Sequence, residues 1–164
     1  MNTIARRVMA AGNKAAAWVY RRTRGRVGGS AKGVPVLLLT VAGRKTGIPR
    51  TVPVAYFEHG DGYLVAASAG GGKADPQWIH NLGAAGKAHI TVLEDQYDVD
   101  ARIAHTVERD ELWEEVVLAQ ASFFAKYEEK SGRTIPIALL TPPIPTQMES
   151  REELSADLNP HPDM

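Results

Sequence analysis

The 164-residue sequence contains no cysteine. That absence removes a disulfide framework, a thiolate nucleophile, a zinc–cysteine site and a cysteine-ligated iron–sulfur cluster. The first 57 residues also lack any aspartate or glutamate, so nothing nearby in the chain neutralises their cations. Long apolar runs are missing as well: the uncharged stretch Gly33 to Gly43 is about half the length a bilayer-crossing helix needs. The five histidines, at 59, 80, 89, 105 and 161, have no helical HxxxH spacing and no accompanying acidic motif, so no metal site is expected. No GxSxG elbow occurs, which sets that hydrolase class aside.

What is present describes one ordinary globular domain. Hydrophobic residues make up 44% of the chain, and a chain of this length buries roughly 70% of its unfolded surface. Acids and bases balance at 19 each, but residues 1–57 hold eleven Lys or Arg, while residues 58–164 hold eight bases and all nineteen acids. The basic first third suggests an anionic partner, whether phosphate, nucleic acid or a membrane surface; the acidic remainder argues against nucleic acid. Arg6-Arg7 superficially resemble an export signal, yet Asn13 and Lys14 break the following apolar run, and a cytoplasmic protein is expected.

Residues 2–24 place Ile4, Val8, Ala11, Ala15 and Trp18 or Val19 at alternating steps of four and three, with Arg6, Arg7, Lys14, Arg21 and Arg22 between them. This is an amphipathic helix, packed on its own domain or lying on an anionic membrane. Gly25, Gly28, Gly29 and Gly33 read as a flexible connection, giving a first segment of 1–32. Strand patterns follow at 35–42, 50–58, 62–68, 88–93, 97–105 and 135–140, with turns at 43–47, at Gly60-Asp61-Gly62 and at Glu94-Asp95. These short steps predict antiparallel meanders closing into a small barrel over 33–141. A short helix is predicted from Pro76 to about Leu82, with Asp75 as its N-cap, and a longer one from about Val107 to Glu129. The polar, proline-containing tail 142–164 reads as flexible.

Three segments stand out chemically. The turn Gly43-Arg44-Lys45-Thr46-Gly47-Ile48-Pro49-Arg50 crowds three cations and a hydroxyl, which suits an anionic ligand or a solvated hairpin equally. The run Ala66-Ala67-Ser68-Ala69-Gly70-Gly71-Gly72-Lys73 has almost no side chains, so a flat ligand or phosphate can approach its backbone, although a mobile surface loop reads the same way. It is not a Walker loop, because Ala74 follows Lys73 where Ser or Thr is required. Trp78 and Asn81 share one face of the short helix, and Tyr127 belongs to a stripe with Trp113, Val117 and Phe124 that has the spacing of a core.

Taken together, Leu38 to Gly47, Arg50, Pro53, Ala66-Ala67-Ser68, Gly70-Gly71, Pro76, Trp78, Asn81-Leu82 and Arg133-Thr134-Ile135-Pro136 resemble the deazaflavin-dependent nitroreductase family across about residues 15–140. The resemblance implies an α+β fold: a small antiparallel split β-barrel of the FMN-binding type, with an N-terminal helix and two further helices. It implies coenzyme F420 as cofactor, a deazaflavin carrying a phosphate and an oligoglutamate tail. Family cofactor contacts carry over onto Arg44, Lys45, Thr46, Arg50, Thr51 and Pro53 on the basic turn and the strand after it. They carry over also onto Ala55, Ala66, Ala67, Ser68 and Ala69 as the ring wall, and onto Gln77, Trp78, Asn81 and Phe124. The implied reaction is hydride transfer to a quinone, an enone or a nitroaromatic, with Ser68 and Tyr127 serving the oxygen on which charge develops. The chain departs from the family at Ala55, Ala69, Ala121 and Phe124, where relatives carry a lysine or aromatic groups, so the acceptor pocket is altered. An FMN-dependent split-barrel reductase and a non-catalytic deazaflavin carrier are the competing readings, and peripheral membrane contact through 1–24 is a further expectation.

Overall fold

A computed structural model describes residues 3–143; most of the expected flexible tail, residues 144–164, lies outside the described residues. Strand β2 (Val34–Ala42) organises the fold. Its alternate side chains Leu37, Leu39 and Val41 point into the barrel, while Val36 and Leu38 point outward beneath a helix, so both faces are buried. That explains why its sequence, Thr40 apart, is apolar rather than alternating.

The barrel consists of β2, β3 (Pro49–His59), β4 (Gly62–Ala66), β7 (Ile137–Thr141), β6 (Asp95–Ile103) and β5 (Lys87–Val92), each antiparallel to the next, and β5 returns to pair with β2. Closure leaves these six strands no free edge. Helix α2 (Gln77–Ala85) plugs the interior with Ile79 and Leu82, which join the inner cluster. The outer faces of β3, β4 and β7 present Phe57, Leu64 and Ile137 to an apolar layer of Leu112, Trp113, Val117 and Phe124.

Two segments differ from the sequence expectation. The single helix expected over 107–129 is α3 (Thr106–Leu112), then a π-helical stretch (Trp113–Leu118), then a break at 121–123, then α4 (Phe124–Ser131). Adjacent Phe123 and Phe124 both reach the apolar layer, their ring centroids 5.1 Å apart. A straight helix would splay neighbouring side chains by about 100°, and the tightened i→i+3 bonds at Phe124, Ala125 and Lys126 bring them together. The glycine-rich connection is likewise ordered: β1 (Ser30–Ala31) pairs with the start of β2, and the two-residue turn Lys32-Gly33 has positive φ at both positions, 52° and 80°.

Helix α1 (Thr3–Arg22) packs through Ala17 and Tyr20 onto Val36 and Leu38. The Tyr20 hydroxyl donates to the Val36 carbonyl and accepts from the Leu93 amide, both at 2.8 Å. Burial pushes the Tyr20 phenol pKa up, partly offset by the bond from Leu93. The stripe expected to be the apolar contact, Ile4, Val8, Ala11, Ala15 and Trp18, is instead exposed, on the opposite side of the helix from the packed face. Among the described residues no helix is long and apolar enough to cross a membrane.

Candidate active site

The basic turn is built by two glycines. A Cβ on Gly43 would lie 2.8 Å from Thr46 Oγ1, and Gly47 sits at φ +68°, so neither position tolerates a side chain without strain. The Gly43 amide donates to the Ile48 carbonyl, and the Gly47 amide donates back to Gly43. Thr46 is spent inside the turn, its Oγ1 accepting from the Ile48 amide at 3.3 Å. Arg44, Lys45 and Arg50 all reach solvent.

Arg44 is held by amides rather than carboxylates. Its Nη1 donates to Gln77 Oε1 and Asn81 Oδ1, each at 3.0 Å, and its backbone amide donates to the same Asn81 oxygen at 3.2 Å. Neutral acceptors orient the guanidinium without cancelling its charge, so its electrostatic pull on an anion survives. Lys45 and Arg50 make no ion pair with any described residue.

From this turn β3 runs along the outer surface with Thr51, Pro53 and Ala55 on one face, opposite Thr40, Leu38 and Val36 of β2. Thr51 and Thr40 share a 2.7 Å hydrogen bond that satisfies both hydroxyls. Ala55 and Ala66 belong to the outer apolar layer beside Tyr127 and form a wall of small side chains. Ala67 and Trp78 turn the other way. Ala67 is fully buried in the inner cluster and Trp78 packs against that cluster, so the structure places the expected Ala67 contact within the core. Phe124, also expected at the cofactor, is 3% exposed and packs edge-on to Phe57, Trp113 and Tyr127. It shapes the wall from behind.

The small-residue run ends in a 3-10 turn, Ala69–Gly71, in which all three residues have positive φ. Arg133 fixes this loop, donating to the carbonyls of Gly72 (2.9 Å), Ala67 (3.0 Å) and Ser68 (3.2 Å) while pairing with Asp75. Asp75 is therefore an ion-pair partner, and α2 starts after Pro76 without a side-chain cap. The Ser68 hydroxyl makes no hydrogen bond to a described residue. Gly71 packs against Tyr127 and Lys130 of α4, close enough that a Cβ there would sit 3.4 Å from the Tyr127 Cα, so Ser68 and Tyr127 are brought to neighbouring segments.

Lys32 is the residue that local reading of the sequence missed. From the β1–β2 turn its Nζ donates to the Tyr127 hydroxyl at 2.8 Å and lies 5.1 and 5.4 Å from the Tyr127 and Phe123 ring centroids. The dipeptide Lys32-Gly33 carries a hairpin-turn signal, but its partner is 95 residues away. Because Lys32 only donates, the phenolic proton of Tyr127 stays available to another acceptor.

A groove of about 1010 Å³ runs between α1 and the beginning of β3, with Arg50, Thr51 and Val52 on one side and Lys14, Trp18 and Arg21 on the other. A smaller recess of about 480 Å³, between Trp113 and Thr134, holds none of the expected cofactor residues.

Comparison with known proteins agrees with this geometry. A family profile described as F420H(2)-dependent quinone reductase matches residues 13–142. The F420H(2)-dependent quinone reductase Rv1261c of Mycobacterium tuberculosis is 37% identical over 126 residues, covering 75% of this chain and 85% of its own length. A solved F420-H2 dependent reductase, FDR-A, superposes with a TM-score of 0.57 at 29% identity, over 65% of this chain and 93% of its own. Another solved chain, described as a domain-swapped dimer, has a TM-score of 0.58 at 28% identity, over 76% and 97% of the two chains. The chain belongs to the F420H(2)-dependent quinone reductase family.

Proposed function

We propose that this F420H2-dependent oxidoreductase passes hydride from reduced coenzyme F420 to a quinone, with enones and nitroaromatics as poorer acceptors. The residues fit the cofactor. The exposed cations of the 43–50 turn, with Arg44 held by amides, suit its phosphate, and the Thr51, Pro53, Ala55 and Ala66 surface suits a flat ring. The barrel and its basic turn, within residues 33–141, thus carry the ring and phosphate contacts of this reading.

When bound, reduced F420 supplies the hydride. The chain supplies position, exclusion of water and a proton. Arg44, Lys45 and Arg50 grip the anionic stem; Gln77 and Asn81 keep Arg44 aimed. Ser68 donates from its uncommitted hydroxyl to the acceptor oxygen, and Tyr127 gives its phenolic proton to the oxygen that becomes negative as the quinone gains hydride, completing the hydroquinone. Lys32 fixes the Tyr127 oxygen and favours the transient phenolate. The Lys32–Tyr127 contact across the small-residue wall is the observation that carries this reading.

Oxidation of F420H2 by the full chain against quinones, enones and nitroaromatics tests it. Quinones should give the highest kcat/KM, and Tyr127→Phe should lower kcat roughly 100-fold without changing F420 affinity. Faster turnover with enones or nitroaromatics would replace the acceptor. Cofactor binding without turnover would indicate a carrier, and selective binding of FMN would favour the flavin alternative.

A further inference from the structure

We infer that α1 is part of the cofactor site: its cations Lys14, Arg21 and Arg22 form the second bank of the groove along β3 and bind the polyanionic tail of F420. The inference deepens the proposed reading and rests on the 43–50 turn as the grip for the cofactor's phosphate. The groove, about 1010 Å³, is continuous with that turn because Ile48, Pro49, Arg50 and Thr51 line it from the β3 side. Across it, Lys14, Trp18 and Arg21 recur at steps of four and three and so share one side of the helix, with Arg22 and Arg24 beside them.

Among the described residues no acidic side chain lines the groove. Arg24 pairs with Glu94 at 3.5 Å, but Lys14, Arg21, Arg22 and Arg50 pair with no described carboxylate. Four cations with no carboxylate partner among the described residues, set around one concave surface, focus a positive potential and attract a ligand with several negative charges along its length. A phosphate followed by a chain of carboxylates has that form; a single phosphate, as on FMN, reaches only the turn. The groove therefore gives selectivity for a long anionic tail, with α1 held in place on the barrel by Ala17 and Tyr20.

The test uses the full chain with Lys14→Gln, Arg21→Gln and Arg22→Gln combined, alongside Arg50→Gln. Fluorescence titrations compare F420 bearing several glutamates with the same chromophore lacking phosphate and glutamates. The triple variant should weaken the tailed cofactor about tenfold in sum, flatten its salt dependence and leave the tail-less chromophore within about twofold of the unsubstituted chain. The conservative triple Lys14→Arg, Arg21→Lys, Arg22→Lys should restore tight binding. Unchanged affinity for the tailed form, equal weakening of both forms, or a loss confined to binding of anionic phosphatidylglycerol vesicles would overturn the inference. Arg50→Gln separates the two claims: weakening by Arg50→Gln but not by the triple variant leaves the turn standing and removes α1 from the site. The reverse pattern supports α1 and leaves the phosphate grip to Arg44 and Lys45.

Discussion

Arg109 and Arg133 form a chain of restraint from the outer helices to the small-residue loop. Arg109 is 7% exposed, lies 4.5 Å over the Trp113 ring, donates to the Ile135 carbonyl at 2.9 Å and pairs with Asp110 and Glu128. Glu128 in turn accepts from the Ile135 amide at 3.0 Å, so both backbone groups of Ile135 are tied down two residues from Arg133. A buried guanidinium is tolerated only when its donors are satisfied, and removing one partner strands the other. Arg109→Met should therefore cost about 3 kcal/mol, measured by urea unfolding, and a loss below about 0.5 kcal/mol would show the network to be idle. Arg133→Lys keeps the charge but cannot reach three carbonyls and a carboxylate at once. It should lower kcat about tenfold, with F420 affinity held and KM for the acceptor little changed, because the loop carrying Ser68 loosens. An unchanged kcat would confine Arg133 to a stability role.

The pair Arg102–Glu108 joins β6 to the first turn of α3 through two bonds of 2.6 and 2.7 Å. Those hydrogen bonds hold the Glu108 carboxyl below its ordinary pKa and raise that of Arg102. The unfolded chain thus takes up the Glu108 proton first as pH falls. The pair's contribution is present above the ordinary carboxylate range near pH ~4.3 and disappears as acid titrates the folded group. Glu108→Gln should lower the melting temperature at neutral pH by a few degrees at most, as both side chains are partly exposed, and the gap should close in acid; a gap independent of pH would point to packing instead. The barrel strands were legible in the sequence because they are short runs between turn residues, and the 43–50 turn because its cations lie together in the chain. Arg44 meeting Asn81, Arg133 meeting Ser68 and Lys32 meeting Tyr127 were not, since separations of 37, 65 and 95 residues leave no local pattern. The break near Ala121 was hidden for a related reason: the apolar spacing continues through it, and what interrupts the helix is the shared demand of Phe123 and Phe124 for one apolar layer.

Charge and apolar surface are both unevenly distributed over the molecule, and that asymmetry sets up a testable prediction about membrane contact. All nineteen acids lie after residue 57, while α1 carries, away from the groove, exposed Arg7 together with Ile4 and Val8, which are 70% and 65% exposed. An anionic bilayer would attract the α1 side and repel much of the remainder, setting the helix parallel to the surface where lipid quinones reside. Each basic residue near such a surface contributes about 1 kcal/mol, and burying one large aliphatic side chain about 1.5–3 kcal/mol. Val8 is the informative position because it lies outside the groove and outside the packed face. Val8→Glu should reduce cosedimentation with anionic vesicles about tenfold and leave turnover of a water-soluble quinone unchanged. It should also raise the KM for a quinone embedded in those vesicles. Binding should fall with added salt and be weak on neutral vesicles; equal binding by the Val8→Glu variant, or indifference to lipid charge, would mean that the exposed stripe does not carry the enzyme to a membrane.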